Sequence, residues 1–182
     1  VRTNWERAIS SALVWEGGWT GYRPQEPGGY AMRGISYDTF KAWRKKKGMP
    51  EPTPEDLKNH PVEETKEIYR AEFADKIDFD NLPDGYDLMS LHSAIMFGPG
   101  MGDELDFGKT GQPGWARMHM MAKGDIGLLN ALMMQAKMHR KDGGWRADPV
   151  TGKDTFFSRG WADRFVAVYK LARDLQGGGI SA

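Results

Sequence analysis

The sequence predicts a mainly helical fold with a small β-hairpin or irregular turn region after the first helix. Two observations carry this reading. Apolar residues recur at spacings of three and four almost throughout, the period of helices with one buried face. The run from Gly18 to Gly29 is instead crowded with glycine and proline, and turns replace the helical period there. The first helix carries Trp5, Ile9, Ala12, Leu13 and Glu16 on one face, with Asn4 as its N-cap and Gly17-Gly18 as its stop. Ser36 or Asp38 caps a second helix with Phe40 and Trp43. Its end, Lys45-Lys46-Lys47-Gly48, reads as cations complementing the helix dipole rather than as a nucleic-acid patch. Thr53-Pro54-Glu55-Asp56 opens a short helix, with proline at the first helical position. Pro61 opens a longer one in the same way, with Val62, Thr65, Ile68, Tyr69 and Phe73 facing inward. A connector from Asp78 to Asp84 leads to a helix from Gly85 to Phe97, stopped by Gly98-Pro99-Gly100. The stretch Asp106–Gly114 reads as a loop, and helices follow near Trp115–Ala122, Ile126–Lys141 and Phe157–Gln176. The last has Trp161, Phe165, Val168, Tyr169, Ala172 and Leu175 on its inner side and Gly177 as its stop.

Composition narrows the function classes. A chain of 182 residues is long enough for one domain with its own core, or two small lobes sharing one. Its 25 lysines and arginines balance 25 aspartates and glutamates, which argues against a dedicated nucleic-acid binder. Apolar residues at 40% and aromatics at 12% exclude disorder by composition. The absence of cysteine excludes disulfides, thiol catalysis and thiolate metal sites. The four histidines, at 60, 92, 119 and 139, form no pair at metal-ligand spacing with a nearby acid, so neither metal nor cofactor is expected. No apolar run approaches the length of a membrane span and no signal-peptide pattern follows Val1, so a soluble globular protein without stable membrane association is expected. Met118, Met120, Met121, Met133, Met134 and Met138 read as adaptable core packing. No serine-histidine-aspartate arrangement and no phosphate-binding glycine loop is present.

Glu16 is the first candidate for chemistry. It ends an amphipathic helix on the inward face, between Trp15 and the Gly17-Gly18-Trp19 turn. Partial burial beside indole rings and the negative end of the helix dipole both disfavour its anion. A carboxyl group that keeps its proton near neutrality suits a general acid protonating a leaving-group oxygen. Glu26 lies in the glycine- and proline-rich turn, where solvation should keep it ionised. Two carboxyl groups in unlike environments are what glycoside hydrolysis requires. Across a gap wide enough for water, Glu26 would be a base and the anomeric configuration would invert. At roughly 5 Å it would be a nucleophile and configuration would be retained. Trp19, Tyr22, Tyr30 and Trp145 stand in glycine-rich loops, where exposed rings suit the apolar faces of sugars; for Trp145 packing is the preferred reading.

Several blocks together are similar to glycoside hydrolase family 108. Glu16-Gly17-Gly18-Trp19, Glu26-Pro27-Gly28-Gly29 and Gly34-Ile35-Ser36 resemble the family's opening. Ile68-Tyr69-Arg70 resembles its Ile-Tyr segment, Ser90 to Gly100 its helix ending in Gly-Pro-Gly, and Arg159-Gly160-Trp161 a block near its C-terminus. The resemblance implies a lysozyme-like helical fold and an N-acetylmuramidase, as in many phage endolysins. Such an enzyme cleaves the β-1,4 bond between N-acetylmuramic acid and N-acetylglucosamine of bacterial peptidoglycan. It further implies a protein made in the host cytoplasm that acts on the wall in the periplasm, expected as a monomer. Residues 1–105 would be the catalytic region. Residues 106–182 would be a C-terminal helical region, peptidoglycan-binding by resemblance and packed into the same domain. The family's essential glutamate falls on Glu16, and its Asp-Pro-Gly-Gly acid on Glu26.

Departures from the family pattern fall on the water-activating half of the site. The family threonine falls on Ala31 and the next asparagine on Met32, so a hydroxyl is missing that Tyr30 or Ser36 would have to replace. In the helix before Gly98, an aspartate and an asparagine fall on His92 and Met96. Trp19, Tyr30, Ser36 and His92 are therefore the candidate substrate contacts, with the site between the Glu16–Ile35 segment and that helix. Two other functions remain open: a lytic transglycosylase, which needs the acid but no activated water, and a non-catalytic wall-binding or phage structural module on the same scaffold.

Overall fold

A computed structural model describes residues 4–24, 27–99 and 156–177. The chain divides into two compact units, one of Ile9–Glu72 and one of Val1–Ala8 with Phe73–Ala182. The expected loop at Asp106–Gly114, the helices near Trp115–Ala122 and Ile126–Lys141, and Trp145 lie outside the described residues, as do His119, His139 and the methionine cluster.

In the first unit, α1 (Trp5–Glu16) runs on from the other unit and buries Ile9 and Ala12. The glycine- and proline-rich run holds no strand among its described residues; Pro27–Gly29 forms one 3-10 turn. The hairpin comes just after it. Strands β1 (Ala31–Met32) and β2 (Ile35–Ser36) pair antiparallel, with Ala31 opposite Ser36 and Met32 opposite Ile35. Arg33 and Gly34 form the two-residue loop, with φ of 49° and 76°, the positive values of a primed hairpin turn.

Ser36, rather than Asp38, caps α2 (Tyr37–Lys46): its Oγ accepts from the Thr39 amide at 3.2 Å. Phe40 and Trp43 are buried beneath this helix. Thr53 opens α3 (Pro54–Asn59) through a reciprocal capping box with Asp56. In α4 (Val62–Tyr69) the expected pattern needs correction. Pro61 occupies the N-cap position instead of the first helical one, and Val62 is 39% exposed because it stands at the open end of the helix. Thr65, Ile68 and Tyr69 are buried as expected, and Phe73 is half-buried.

The second unit is built on α5 (Tyr86–Phe97) and α6 (Phe156–Leu175). Leu88, Met89, Leu91 and Ala94 of α5 form one core with Phe165, Val168 and Ala172 of α6. The connector before α5 folds as 3-10 turns over Asp75–Ile77 and Phe79–Asn81, which add Ile77 and Phe79 to this core. Tyr169 and Leu175 are half-buried against it, while the Trp161 side chain lies outside what is described. The Asn4 carbonyl takes the first helical bond of α1, from the Ala8 amide. Its side-chain amide donates to Asp84 and Asp87 at 2.9 and 2.7 Å. Among the described residues no helix is long and apolar enough to cross a membrane.

Candidate active site

Glu16 is the last residue of α1 and is half-buried, and no basic side chain stands in the final turn beside it. Its carboxyl group rests against the hairpin loop. A Cβ placed on Gly34 would stand 2.5 Å from Glu16 Oε2 and 3.0 Å from the carboxyl carbon, and would also strike the Tyr69 hydroxyl. Only glycine allows this approach, and the positive φ of the loop makes the same demand.

The loop itself is anchored from below. The Tyr69 hydroxyl donates to the Arg33 carbonyl at 2.8 Å. The Arg33 guanidinium donates from Nη1 to the His60 carbonyl at 3.1 Å and, at a long 3.5 Å, to Thr65 Oγ1. His60 is buried with both ring nitrogens engaged, Nδ1 with the Leu57 carbonyl at 2.5 Å and Nε2 with Thr65 Oγ1 at 2.7 Å. A carbonyl only accepts, so Nδ1 carries the proton and Nε2 accepts from the threonine hydroxyl. The Thr65 oxygen therefore faces Arg33 with its lone pairs. Burial, more than the nearby Arg33 charge, lowers the His60 pKa and keeps the ring neutral as this chain of bonds requires.

The segment after Glu16 carries a cluster of rings centred on Tyr30. Trp19 stacks on Tyr30 with centroids 5.4 Å apart and planes at 16°, while Tyr22 and Tyr37 meet Tyr30 edge-on at 5.3 and 6.2 Å. Tyr22 remains 67% exposed, yet its position is fixed from beneath: a Cβ on Gly29 would stand 2.6 Å from its ring. Thr20 joins this segment to β1. Its amide and hydroxyl both donate to the Ala31 carbonyl, at 3.1 and 3.2 Å, and its Oγ accepts from the Ala31 amide at 3.0 Å. The Thr20 hydroxyl beside Ala31 is thus committed to the backbone. The unit holds the Glu16 carboxyl group against the hairpin loop and carries, next in sequence, an aromatic surface of the kind that sugar rings stack on.

Three candidates remain. Glu26 lies outside the described residues. The Ser36 hydroxyl caps α2 and also bonds Thr39 Oγ1 at 2.9 Å. His92, on α5 in the second unit, is 1% exposed and takes a hydrogen bond from Arg164 Nε at 3.2 Å. Burial, with the Arg164 charge adding to it, keeps His92 neutral by holding its pKa well below the ordinary value. Among the described residues no group of three acids or histidines is placed to hold a metal ion. Sequence reasoning missed the surroundings of Glu16, namely Arg33, Gly34, Thr65 and Tyr69 acting together. A signal was present in the four-residue spacing of Thr65 and Tyr69, two polar-tipped side chains on the inward face of one helix.

Residues 9–98 match the model of the family described as Glycosyl hydrolase 108. That span contains Glu16, the hairpin, the ring cluster and Tyr69. In three dimensions the chain is similar to the structure of Brucella abortus SagA, at a TM-score of 0.69 and 23% identity, over 100% of this chain and 99% of that one. Likeness at this identity speaks to the fold. No curated protein matches the chain.

Proposed function

Starting from the membership of this chain in the glycosyl hydrolase 108 family, which makes it a glycoside hydrolase, we propose that it is an N-acetylmuramidase acting on bacterial peptidoglycan. The bond cleaved is the β-1,4 link from N-acetylmuramic acid to N-acetylglucosamine. Glu16 protonates the glycosidic oxygen as that bond breaks, and positive charge develops at the anomeric carbon. Glu26 stabilises this charge and activates water. The rings of Trp19 and Tyr30 hold the glycan by stacking, with Ser36 as a further candidate contact; His92, buried against Arg164, is not among them. The biological setting proposed is a phage endolysin, working as a monomer, made in the host cytoplasm and acting in the periplasm.

The observation that supports this reading most is the environment of Glu16. A half-buried carboxyl group at a helix end is held against a glycine that can bear no side chain, inside the segment that carries the family match. The test is the clearing of a cell-wall suspension by Glu16→Gln. Clearing at the parent rate would leave a non-catalytic wall-binding module as the function. A second reading, the lytic transglycosylase, is favoured by one observation: the family hydroxyl is replaced by the Ala31 methyl, and the neighbouring Thr20 hydroxyl is spent on the backbone. Mass spectrometry of the products separates the two, since a hydrolase leaves reducing muramic acid ends and a transglycosylase leaves 1,6-anhydro ends.

A further inference from the structure

We propose that Tyr69 is a positioning residue for Glu16, acting through the Arg33–Gly34 loop. The inference rests on the reading of Glu16 as the general acid and adds what fixes its direction. A glutamate side chain at a helix end has several rotamers open to it, and proton transfer needs the carboxyl aimed at one oxygen. Here the Gly34 backbone stands against the carboxyl group and blocks movement on that side. A backstop works only if it is itself immobile, and a two-residue hairpin loop on strands of two residues is not rigid alone.

Its rigidity comes from α4 and from His60, two residues before that helix. Tyr69 is 1% exposed and spends its hydroxyl proton on the Arg33 carbonyl. One helical turn earlier Thr65 receives the Arg33 guanidinium, and the His60 carbonyl receives it again. The loop is thus held by its main chain and by its side chain, from the buried face of α4 and from His60. The Tyr69 oxygen also crowds the same point beside Gly34 as the Glu16 carboxyl does, so the hydroxyl forms part of the wall as well as its anchor.

Tyr69→Phe tests this, because it keeps the buried ring and removes only the hydroxyl. Turnover of soluble peptidoglycan strands is measured alongside circular dichroism. The expected result is a folded enzyme with kcat reduced about ten- to hundredfold, the scale of a displacement near 1 Å, and KM within about twofold of the parent. A purely structural role would lower the active fraction and leave the kcat of the folded enzyme unchanged. That outcome, or a parental kcat, overturns the inference. Should Tyr69→Phe not fold, 4-fluorophenylalanine in place of Tyr69 decides the matter: it keeps the ring and the bulk beside Gly34 and removes only the donated proton, and a parental kcat in that variant also overturns the inference. Glu16→Gln distinguishes the two levels. If it is inactive while Tyr69→Phe is fully active, the positioning role alone fails; if it is fully active, the general-acid reading fails and takes the positioning role with it.

Discussion

Trp19 lies flat on Tyr30, 5.4 Å between ring centroids and only 16° between planes. Tyr22 and Tyr37 close on the same tyrosine from its edges, so Tyr30 is the centre of the cluster. Removing the outer ring removes both its own stacking surface and the partner that holds Tyr30 in place. Trp19→Ala is expected to raise KM for glycan strands roughly three- to tenfold, the equivalent of about 1 kcal/mol of aromatic contact, with a smaller effect on kcat. Steady-state kinetics on soluble strands reads this directly. An unchanged KM would mean that the rings serve the packing of the loop and not the sugar.

Gly34→Ala separates backbone strain from contact with the acid. Gly48 has a φ of 69°, close to the 76° of Gly34, but a Cβ there meets nothing within 4 Å. Alanine at either position is therefore expected to lower stability by about 1 kcal/mol through its left-handed conformation. Only at Gly34 does the new methyl group collide with Glu16 and Tyr69. Gly48→Ala should keep full activity, while Gly34→Ala should lose about a hundredfold in kcat. Equal activities in the two variants would show that the close approach has no bearing on turnover.

Ser36 has two roles to test, one seen in its geometry and one proposed. As the N-cap of α2 it satisfies the Thr39 amide. Ser36→Ala should reduce unfolding free energy by ~1 kcal/mol in urea denaturation, and Ser36→Asp should restore most of it, since a carboxylate caps equally well. If the serine also meets substrate, Ser36→Asp will be stable yet impaired in KM. Full activity in Ser36→Asp limits the residue to capping.

Local chemistry explains why so much of the fold was legible in the sequence. Thr53-Pro54-Glu55-Asp56 specifies a helix start within four residues, and the structure has the start, the proline position and the reciprocal bond. Phe40 with Trp43, and Ile68 with Tyr69, announce their buried faces by spacing alone. The hairpin was less legible because its strands are two residues each, too short for alternation to register, and its loop is Arg-Gly rather than a common turn pair. Val62 was misjudged because period says which face a residue takes and not whether the end of that face is covered. Glu16 was accessible from its place at the end of an amphipathic helix. Its supports were not, since Gly34 and Tyr69 reach it from segments 18 and 53 residues farther along the chain, and only folding brings them to one carboxyl group.

His60 gives the anchoring of the loop a pH dependence. Its pKa in the folded chain lies below the ordinary 6.5, with burial as the main cause. Above pH 6.5 the ring is neutral whether the chain is folded or not, and the group contributes no slope. As pH falls below 6.5 the unfolded chain takes up the proton first, so folding stability declines until the folded-state pKa is reached, at up to ~1.4 kcal/mol per pH unit for one proton. His92 acts in the same sense from the second unit, since burial lowers its pKa further. Protonating His60 would place a hydrogen on Nε2, where the Thr65 hydroxyl now donates, and so reverse the His60–Thr65 bond at the oxygen to which Arg33 also donates. Melting temperature measured from pH 7.5 to 5 should therefore fall on the acid side. In His60→Gln the fall should be shallower, starting from a lower value at pH 7.5 because the hydrogen bonds to Leu57 and Thr65 are weakened. An identical pH slope in parent and variant would remove His60 from the account and leave the acid sensitivity to His92.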